Sequence, residues 1–203
     1  MPPRGSPGKP LAFSHMQWPC NCPSGHVRHF VLALVLAFCG MPLQSATLER
    51  LTLSDMVLKS TVVVRGTVLS SGASLTGGLI FTHYRVQVTE SLKGRTGGVL
   101  DVAVPGGVAN GIRQPVSGAP QFTPGDDYVF FLWTSKAGVT QVLGLTQGIF
   151  RVSGIGPDPA ITRTPSHELM LDSRTHQPVR DEALNMTLGA LRSTITGVLG
   201  TAQ

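Results

Sequence analysis

The clearest pattern in the chain is an alternation of side-chain types with period two over residues 79–92. One set of alternate positions is mostly apolar and consists of Ile80, Thr82, Tyr84, Val86 and Val88. The intervening set is more polar and consists of Phe81, His83, Arg85, Gln87 and Thr89. This pattern predicts a long strand in a curved antiparallel sheet, with one face on a core and the other in water.

Shorter apolar runs predict further strands at residues 61–68, 99–104, 128–133, 139–145 and 147–152. The run at 128–133 is apolar on both faces, so we expect it in the centre of a sheet or under a helix. Segments rich in Gly, Ser or Pro predict a loop at 70–78 and a longer loop at 105–125. A loop as long as the second one is usually either functional or partly disordered.

Apolar residues at helical spacing precede and follow the predicted strands. Residues 51–58 predict a short opening helix, which Thr52 or Ser54 can cap. Residues 181–199 predict a C-terminal amphipathic helix with an apolar stripe of Leu184, Leu188, Leu191, Ile195 and Val198. Residues 155–180 are expected to form an irregular linker. We therefore predict a mainly β fold, a small OB-like antiparallel barrel of five or six strands over 47–154, with the C-terminal helix packed on the barrel.

Residues 1–46 have the pattern of a removable signal peptide. A basic segment precedes an apolar run over 30–38, and a segment broken by Pro follows it. The run is shorter than the ~20 apolar residues that a bilayer span needs. We therefore expect export from a bacterial cell, to the periplasm or the medium, with no stable membrane span after cleavage. An uncleaved signal anchor and a lipoprotein modified at Cys39 are the alternatives, and Met16 is an alternative start.

Charge and cysteine content narrow the classes of partner. The chain has a net charge of +5, but three of its 16 basic residues and none of its 11 acidic ones lie in the leader. The remaining charges are spread without a Lys or Arg cluster, so we expect neither nucleic acid nor an anionic membrane as a partner. The cysteines Cys20, Cys22 and Cys39 all lie in the leader. The mature chain therefore has no thiol nucleophile and no disulfide.

Three histidines lie beyond the leader, at His83, His167 and His176. His83 is on the polar face of the long predicted strand, where a partly exposed structural histidine is the expected role. The other two have Glu168 and Asp172 nearby and can be drawn as zinc ligands, but their spacing matches no familiar metal motif and a solvated loop explains them equally well. We predict no metal and no cofactor.

A pair of carboxylates, Asp126 and Asp127, directly follows Pro124 and Gly125. Paired carboxylates can carry out acid–base chemistry, but this order of residues before a strand is typical of a turn. We interpret the pair as a turn and assign no catalytic residue.

The order of predicted elements is similar to that of the netrin-like, or TIMP-like, OB-fold modules, and to that of a group of uncharacterised exported bacterial proteins. The matching segments lie within residues 50–152 and are 62–68, 84–94, 100–104 and 124–132, with a glycine-rich loop before the last. The resemblance implies an OB-fold. Inhibitory members of that family place an N-terminal cysteine on the zinc of a target protease. The mature chain has no cysteine, so the resemblance does not extend to that mechanism.

These features favour a non-catalytic module that binds another exported protein, such as a secreted protease or an envelope protein. The candidate contacts are Ile112, Arg113 and Phe122 on the long loop and Phe81, His83 and Arg85 on the strand; for each, packing under the terminal helices is the alternative. A structural envelope component held by its C-terminal helix is a second hypothesis. A hydrolase that uses Asp126, Asp127 or the histidines is a third.

Overall fold

A computed structural model describes residues 47–202, which are mainly β, with several sheets and a C-terminal helix. The predicted leader, with its cysteines and the alternative start at Met16, lies outside the described residues. In chain order the described elements are β1 Thr47–Glu49, α1 Leu53–Lys59, β2 Val62–Thr76, β3 Leu79–Lys93, β4 Val99–Pro105, β5 Gly107–Ala109, β6 Ile112–Gln114, β7 Asp127–Thr134, β8 Thr140–Val142, β9 Ile149–Ser153, β10 Ala160–Arg163, β11 Leu169–Leu171, β12 Pro178–Val179, β13 Leu184–Thr187 and α2 Leu188–Thr201. A short 3-10 helix, Leu145–Gly148, precedes β9.

The largest sheet has the strand order β13-β10-β9-β7-β2-β3-β4-β8. Strand β8 also pairs antiparallel with β7, and it meets β4 in parallel through Ala103 and Gln141. Strand β7 has paired neighbours on both sides, and its residues 128–132 are all buried. This confirms the prediction, from its two apolar faces, that the segment lies in the centre of a sheet.

Alternate residues of β7 belong to two separate cores, because successive side chains of a strand point to opposite faces. Val129 and Phe131 belong to the helix-side core, which also contains Met56, Val57, Phe150, Ile161, Leu188, Leu191 and Ile195. Tyr128, Phe130 and Leu132 belong to the strand-side core, which also contains Val64, Val68, Tyr84, Val86, Val102, Val104 and Phe122. The inward residues predicted for β3 at 84 and 86 are buried here as expected.

The short helix α1 has a capping box at its start. The Thr52 hydroxyl accepts a hydrogen bond from the Asp55 amide at 3.1 Å, and the Asp55 carboxylate accepts one from the Thr52 amide at 3.1 Å. The side-chain hydrogen bond from Thr52 also lowers the pKa of Asp55. At the other end, the Lys93 ammonium donates to the carbonyl oxygens of Val57 and Ser60. Charge and caps at both termini therefore stabilise a helix that is too short to be stable alone.

The C-terminal helix begins later than predicted, at Leu188 instead of residue 181. Residues 184–187 form β13, which pairs antiparallel with all four residues of β10, so the sheet satisfies their backbone groups. Thr187 then caps α2 by accepting a hydrogen bond from the Ala190 amide at 3.2 Å. The prediction of helix over 181–187 was wrong because β pairing overrode the apolar spacing.

The segment 155–180 is not an irregular linker. It contains β10, which joins the largest sheet, together with β11 and β12, which form a three-stranded sheet with β1. Ile161 and Met170 have no exposed surface. These strands have two to four residues each, too few to show a period in the sequence. One of their pairing partners, β1, lies far away at the start of the described residues.

The predicted loop at 70–78 is instead a hairpin. Strands β2 and β3 pair up to Thr76 and Leu79, and Gly77 and Gly78 form a two-residue turn with φ of +59° and +82°. Two successive positive φ values define a type I′ turn, which Gly adopts without strain. We call the outer part of this hairpin, residues 69–76 and 79–85, the ribbon.

Glu90 of β3 and Arg192 of α2 form a bidentate ion pair, with N–O distances of 2.6 and 2.8 Å. The hydrogen bonds from Arg192 lower the pKa of Glu90 below its ordinary value. The pair therefore stabilises the fold above the ordinary glutamate pKa of about 4.3, and this contribution is lost as the pH falls below it. We expect a contribution below about 1 kcal/mol, since the pair is partly exposed.

Thermal midpoints measured between pH 3 and 7 test this contribution. Glu90→Gln should lower the midpoint at pH 7 and flatten its decrease in acid. The ion pair of Lys59 with Glu49 is more exposed than that of Arg192 with Glu90, so Glu49→Gln serves as a control and should change the profile less. If the thermal midpoints of Glu90→Gln and of the unchanged chain decreased equally between pH 7 and 3, the ion pair with Arg192 would not contribute to stability.

Candidate functional site

The long segment 105–125 begins with a hairpin, β5 and β6, that lies against the ribbon. The Gly106 amide donates to the Ile80 carbonyl at 2.8 Å, the Thr82 hydroxyl donates to the Gly106 carbonyl at 2.8 Å, and the Ile80 amide donates to the Gln114 side chain at 2.7 Å. Gly107 has φ of +137°, and a Cβ there would clash with the Thr82 hydroxyl. These contacts fix the hairpin in place beside the strands.

A cleft of about 280 Å³ lies between this hairpin, the ribbon and the segment that follows β6. Thr82 and Tyr84 contribute from β3, and Arg113 and Gln114 contribute from β6. The remaining walls include the apolar residues Val108, Pro115, Val116 and Pro120 together with Gln121. The cleft therefore combines a cation and amide groups with rigid apolar walls, a composition typical of recognition sites.

Arg113 is the charged group of this cleft. It is exposed, and among the described residues it forms no ion pair. Its neighbour Ile112 is 54% exposed. The structure thus places both predicted loop contacts on an accessible surface, and Arg113 on the wall of the cleft.

The three predicted strand contacts lie elsewhere. Phe81, His83 and Arg85 alternate with Thr82 and Tyr84, so they point to the opposite face of the ribbon from the cleft. His83 is also bound to a carboxylate on the adjacent strand, with its Nδ1 3.0 Å from Asp101 Oδ2. The structure therefore does not bring the two groups of candidates into one surface.

Phe122 is a core residue, which corrects its prediction as a partner contact. Only 7% of it is exposed, and its ring centroid lies 4.8 Å from that of Tyr84 and 5.3 Å from those of Tyr128 and Phe130. The edge-on geometry of these rings is a favourable aromatic arrangement. Because segment 115–125 folds back over the strand-side core, its one aromatic residue fills the core's open end.

The cleft residues Thr82, Tyr84, Gln114 and Gln121 were not predicted from the sequence. Thr82 and Tyr84 belong to the inward set of β3, which the alternation predicts as core. The position of hairpin β5–β6 decides which inward residues of β3 line the cleft, and the alternation does not predict that position. In the sequence, only the closely spaced Pro115 and Pro120 indicated a rigid wall of the cleft.

Asp126 and Asp127 each have an arginine partner. Asp127 Oδ2 accepts hydrogen bonds from Arg65 at 2.8 and 2.6 Å, while Asp126 Oδ2 accepts from Arg151 at 2.7 Å and from the Tyr128 hydroxyl at 3.0 Å. Burial, followed by the bond to Asp126, raises the pKa of Tyr128, which keeps its phenol protonated as a donor. Asp126 closes the turn at Pro124 and Gly125, as predicted, because its amide donates to the Thr123 carbonyl. Asp127 is instead the first residue of β7, and its ion pair joins β7 to β2.

The segment with His167 and His176 is organised by turn hydrogen bonds. The Asp172 carboxylate accepts from the amides of Arg174 and Thr175 at 3.0 and 2.8 Å. The bond from the Thr175 amide makes the largest contribution to lowering the pKa of Asp172. Within residues 47–202, no three His, Cys, Asp or Glu side chains come together as ligands of a metal ion would.

In the described part of the chain, no helix has both the length and the apolar character needed to cross a bilayer. No protein-family model matches the chain, and no curated protein sequence is similar to it.

Proposed function

We propose that the chain is an exported, OB-like module that binds another exported protein, such as a secreted protease or an envelope protein, at the cleft beside hairpin β5–β6. The strand pairings support the OB-like plan: β7, β2, β3 and β4 pair in succession, and β8 meets both β4 and β7. OB-folds are five-stranded, partly open barrels whose loops form recognition surfaces.

The unpaired cation of the cleft carries this proposal. Arg113 stands on a hairpin whose position is fixed by hydrogen bonds to β3, so binding would cost little backbone conformational entropy. Its guanidinium suits a carboxylate of the partner, and the exposed side chain of Val108, which is opposite Arg113 in the hairpin, offers apolar contact beside it. We therefore expect the partner to present an acidic residue next to an apolar side chain.

The two other hypotheses have less support from the described contacts. A structural envelope component would be held by the apolar stripe of α2, but Leu188, Leu191 and Ile195 are buried in the chain's own helix-side core. Of the groups that a hydrolase could use, Asp126 and Asp127 are each bound by an arginine, and His83 is bound to Asp101.

The test begins with capture of partners from the exported proteins of the native organism, followed by titration of the purified partner. We expect Arg113→Glu to weaken binding at least tenfold, or about 1.4 kcal/mol, because it places like charges in contact. Arg85→Glu makes the same charge change on the opposite face of the ribbon and serves as the matched control.

The comparison of these two variants decides between the two faces. Loss of binding with Arg113→Glu alone supports the cleft. Equal losses would indicate a long-range charge effect, and a larger loss with Arg85→Glu would assign binding to the face of Phe81 and His83. Either of these results contradicts the proposal.

A further inference from the structure

The two edges of the ribbon differ in how their backbone groups are bonded. On the β3 side, the Ile80 amide and carbonyl bond to Gln114 and Gly106, and β4 pairs with β3 from Phe81 onward. On the β2 side, Val68 exchanges hydrogen bonds with Asp126 and Gly125. Beyond Val68, residues 69–76 of β2 have no strand partner other than β3 among residues 47–202. The ribbon therefore has one covered edge and one open edge.

The turn geometry identifies which backbone groups lie on the open edge. In a two-residue turn, the flanking residues Thr76 and Leu79 bond to each other, so the backbone polar groups of Thr76 point toward β3. Backbone direction alternates along a strand, so the N–H and C=O groups of Ser71, Ala73 and Leu75 point away from β3. The bonds of Ile80, which is opposite Leu75, agree with this because they run away from β2.

This open edge lacks the features that usually prevent pairing with another chain. Natural edge strands are protected by charged residues, prolines or a covering segment. Residues 69–76 contain no charged residue and no proline, and all of them are exposed. The two leucines, Leu69 and Leu75, are 48% and 41% exposed. The edge thus offers backbone donors and acceptors together with apolar side chains.

The sequence of the edge nearly repeats itself when read backward. Residues 69–75 read Leu-Ser-Ser-Gly-Ala-Ser-Leu, and the only mismatch is Ser71 against Ala73. When two copies of such a segment pair antiparallel about Gly72, Ser70 lies opposite Ser74, and the leucines at the ends approach each other. The register also agrees with the backbone directions, because Ser71 and Ala73, which both point outward, become hydrogen-bonded partners.

We propose that the open edge of β2 is a self-association surface, which pairs antiparallel with the same edge of a second copy about a two-fold axis at Gly72. The pairing joins two ribbons into a continuous four-stranded sheet, and each copy supplies the same surface, as a closed symmetric dimer requires. One strand pair buries less than the roughly 1,000 Å² of a stable interface. The dimer is therefore weak and forms at micromolar concentrations or above.

Cysteine cross-linking tests the register directly, on the full chain with Cys20, Cys22 and Cys39 changed to Ser. Two Gly72 residues would form a non-hydrogen-bonded pair with Cα atoms about 4.5 Å apart, within the range for a disulfide. A Cβ at Gly72 would meet no other atom within 4 Å. We expect Gly72→Cys to form a disulfide-linked dimer under mild oxidation at least tenfold faster than Ser74→Cys.

Ser74→Cys is the matched control because it is exposed on the same face, while its partner in the second copy would be Ser70. Two Ser74 positions would be about 14 Å apart, too far for a disulfide. A mixture of Ser70→Cys with Ser74→Cys should cross-link again. Equal rates at 72 and 74, as in-register parallel stacking would give, overturn the proposal.

Sedimentation of the same cysteine-free chain provides a second measurement. A monomer–dimer equilibrium is expected at tens to hundreds of micromolar. Leu75→Pro removes an outward N–H and should abolish the dimer while leaving the thermal midpoint nearly unchanged, since edge positions tolerate proline. Leu75→Val keeps the N–H and should preserve the dimer. A chain that stays monomeric throughout, or a dimer that survives Leu75→Pro, overturns the proposal.

Discussion

Replacement of Phe122 by alanine is expected to lower the free energy of unfolding by about 3–5 kcal/mol. The Phe122 ring fills the open end of the strand-side core and contacts Tyr84, Tyr128 and Phe130 edge-on. Its removal forfeits the burial of the ring, leaves a cavity and breaks three aromatic contacts. Urea unfolding followed by tryptophan fluorescence and by circular dichroism measures the change.

Ile112→Ala is the control for this experiment. Ile112 comes from the same long segment but is exposed, so its replacement should change stability by no more than about 0.5 kcal/mol. If Phe122 were instead a contact for a partner, Phe122→Ala would leave the unfolding free energy unchanged and reduce only binding. A loss of stability below about 1 kcal/mol would contradict its assignment to the core.

Strands with at least one buried face are predictable from the sequence. The alternation over 79–92 and the doubly apolar run at 128–133 both follow from burial, which selects side chains residue by residue. The β2 half of the ribbon was predicted as a loop because both its faces are exposed at residues 70–76, so no burial pattern distinguishes that strand from a loop. Only the paired glycines at its turn signalled a hairpin.

The candidate site was predicted only in part, for a related reason. The exposed Ile112 and Arg113 lie on the surface where the sequence places them, because a loop with isolated apolar and basic residues commonly faces water. Phe122 comes from the same loop, and nothing local in the sequence shows that the chain folds back to bury it. Burial of a loop residue depends on contacts that are distant in the chain, such as those with Tyr84 and Phe130.

A second large effect on stability is expected at the buried ion pair of Arg163 with Asp181, which was not predicted from the sequence. Side chains of Arg163 and Asp181 are 3% and 1% exposed, and Arg163 Nη2 lies 2.6 Å from Asp181 Oδ1. The same nitrogen donates to the Glu182 carbonyl, and the other Asp181 oxygen accepts from the Ser166 amide at 2.8 Å. The pair thus holds the segment after β10 against the chain that leads into β13.

Burial of this ion pair carries a desolvation cost in addition to the attraction between the two charges. Desolvation is the largest influence on the pKa of Arg163 and lowers it, against the opposing effect of Asp181. Two nitrogens of the guanidinium, Nε and Nη1, are buried without a hydrogen-bond partner among the described residues. Because a guanidinium remains charged at any ordinary pH, removal of Asp181 would leave an uncompensated buried cation.

We therefore expect Asp181→Asn to lower the free energy of unfolding by about 3–5 kcal/mol. Asparagine keeps the shape and an acceptor for the Ser166 amide, so the loss reflects the missing charge. In an Arg163→Met background, which has no buried cation to leave unpaired, the same substitution should cost about 1 kcal/mol or less. A double-mutant cycle by urea unfolding measures the difference, and additive effects of the two substitutions would contradict it. Strong coupling between Arg163 and Asp181 would show that residues 155–180 unfold together with the rest of the domain. If the segment were a linker separate from the domain, Asp181→Asn would not change the domain's free energy of unfolding.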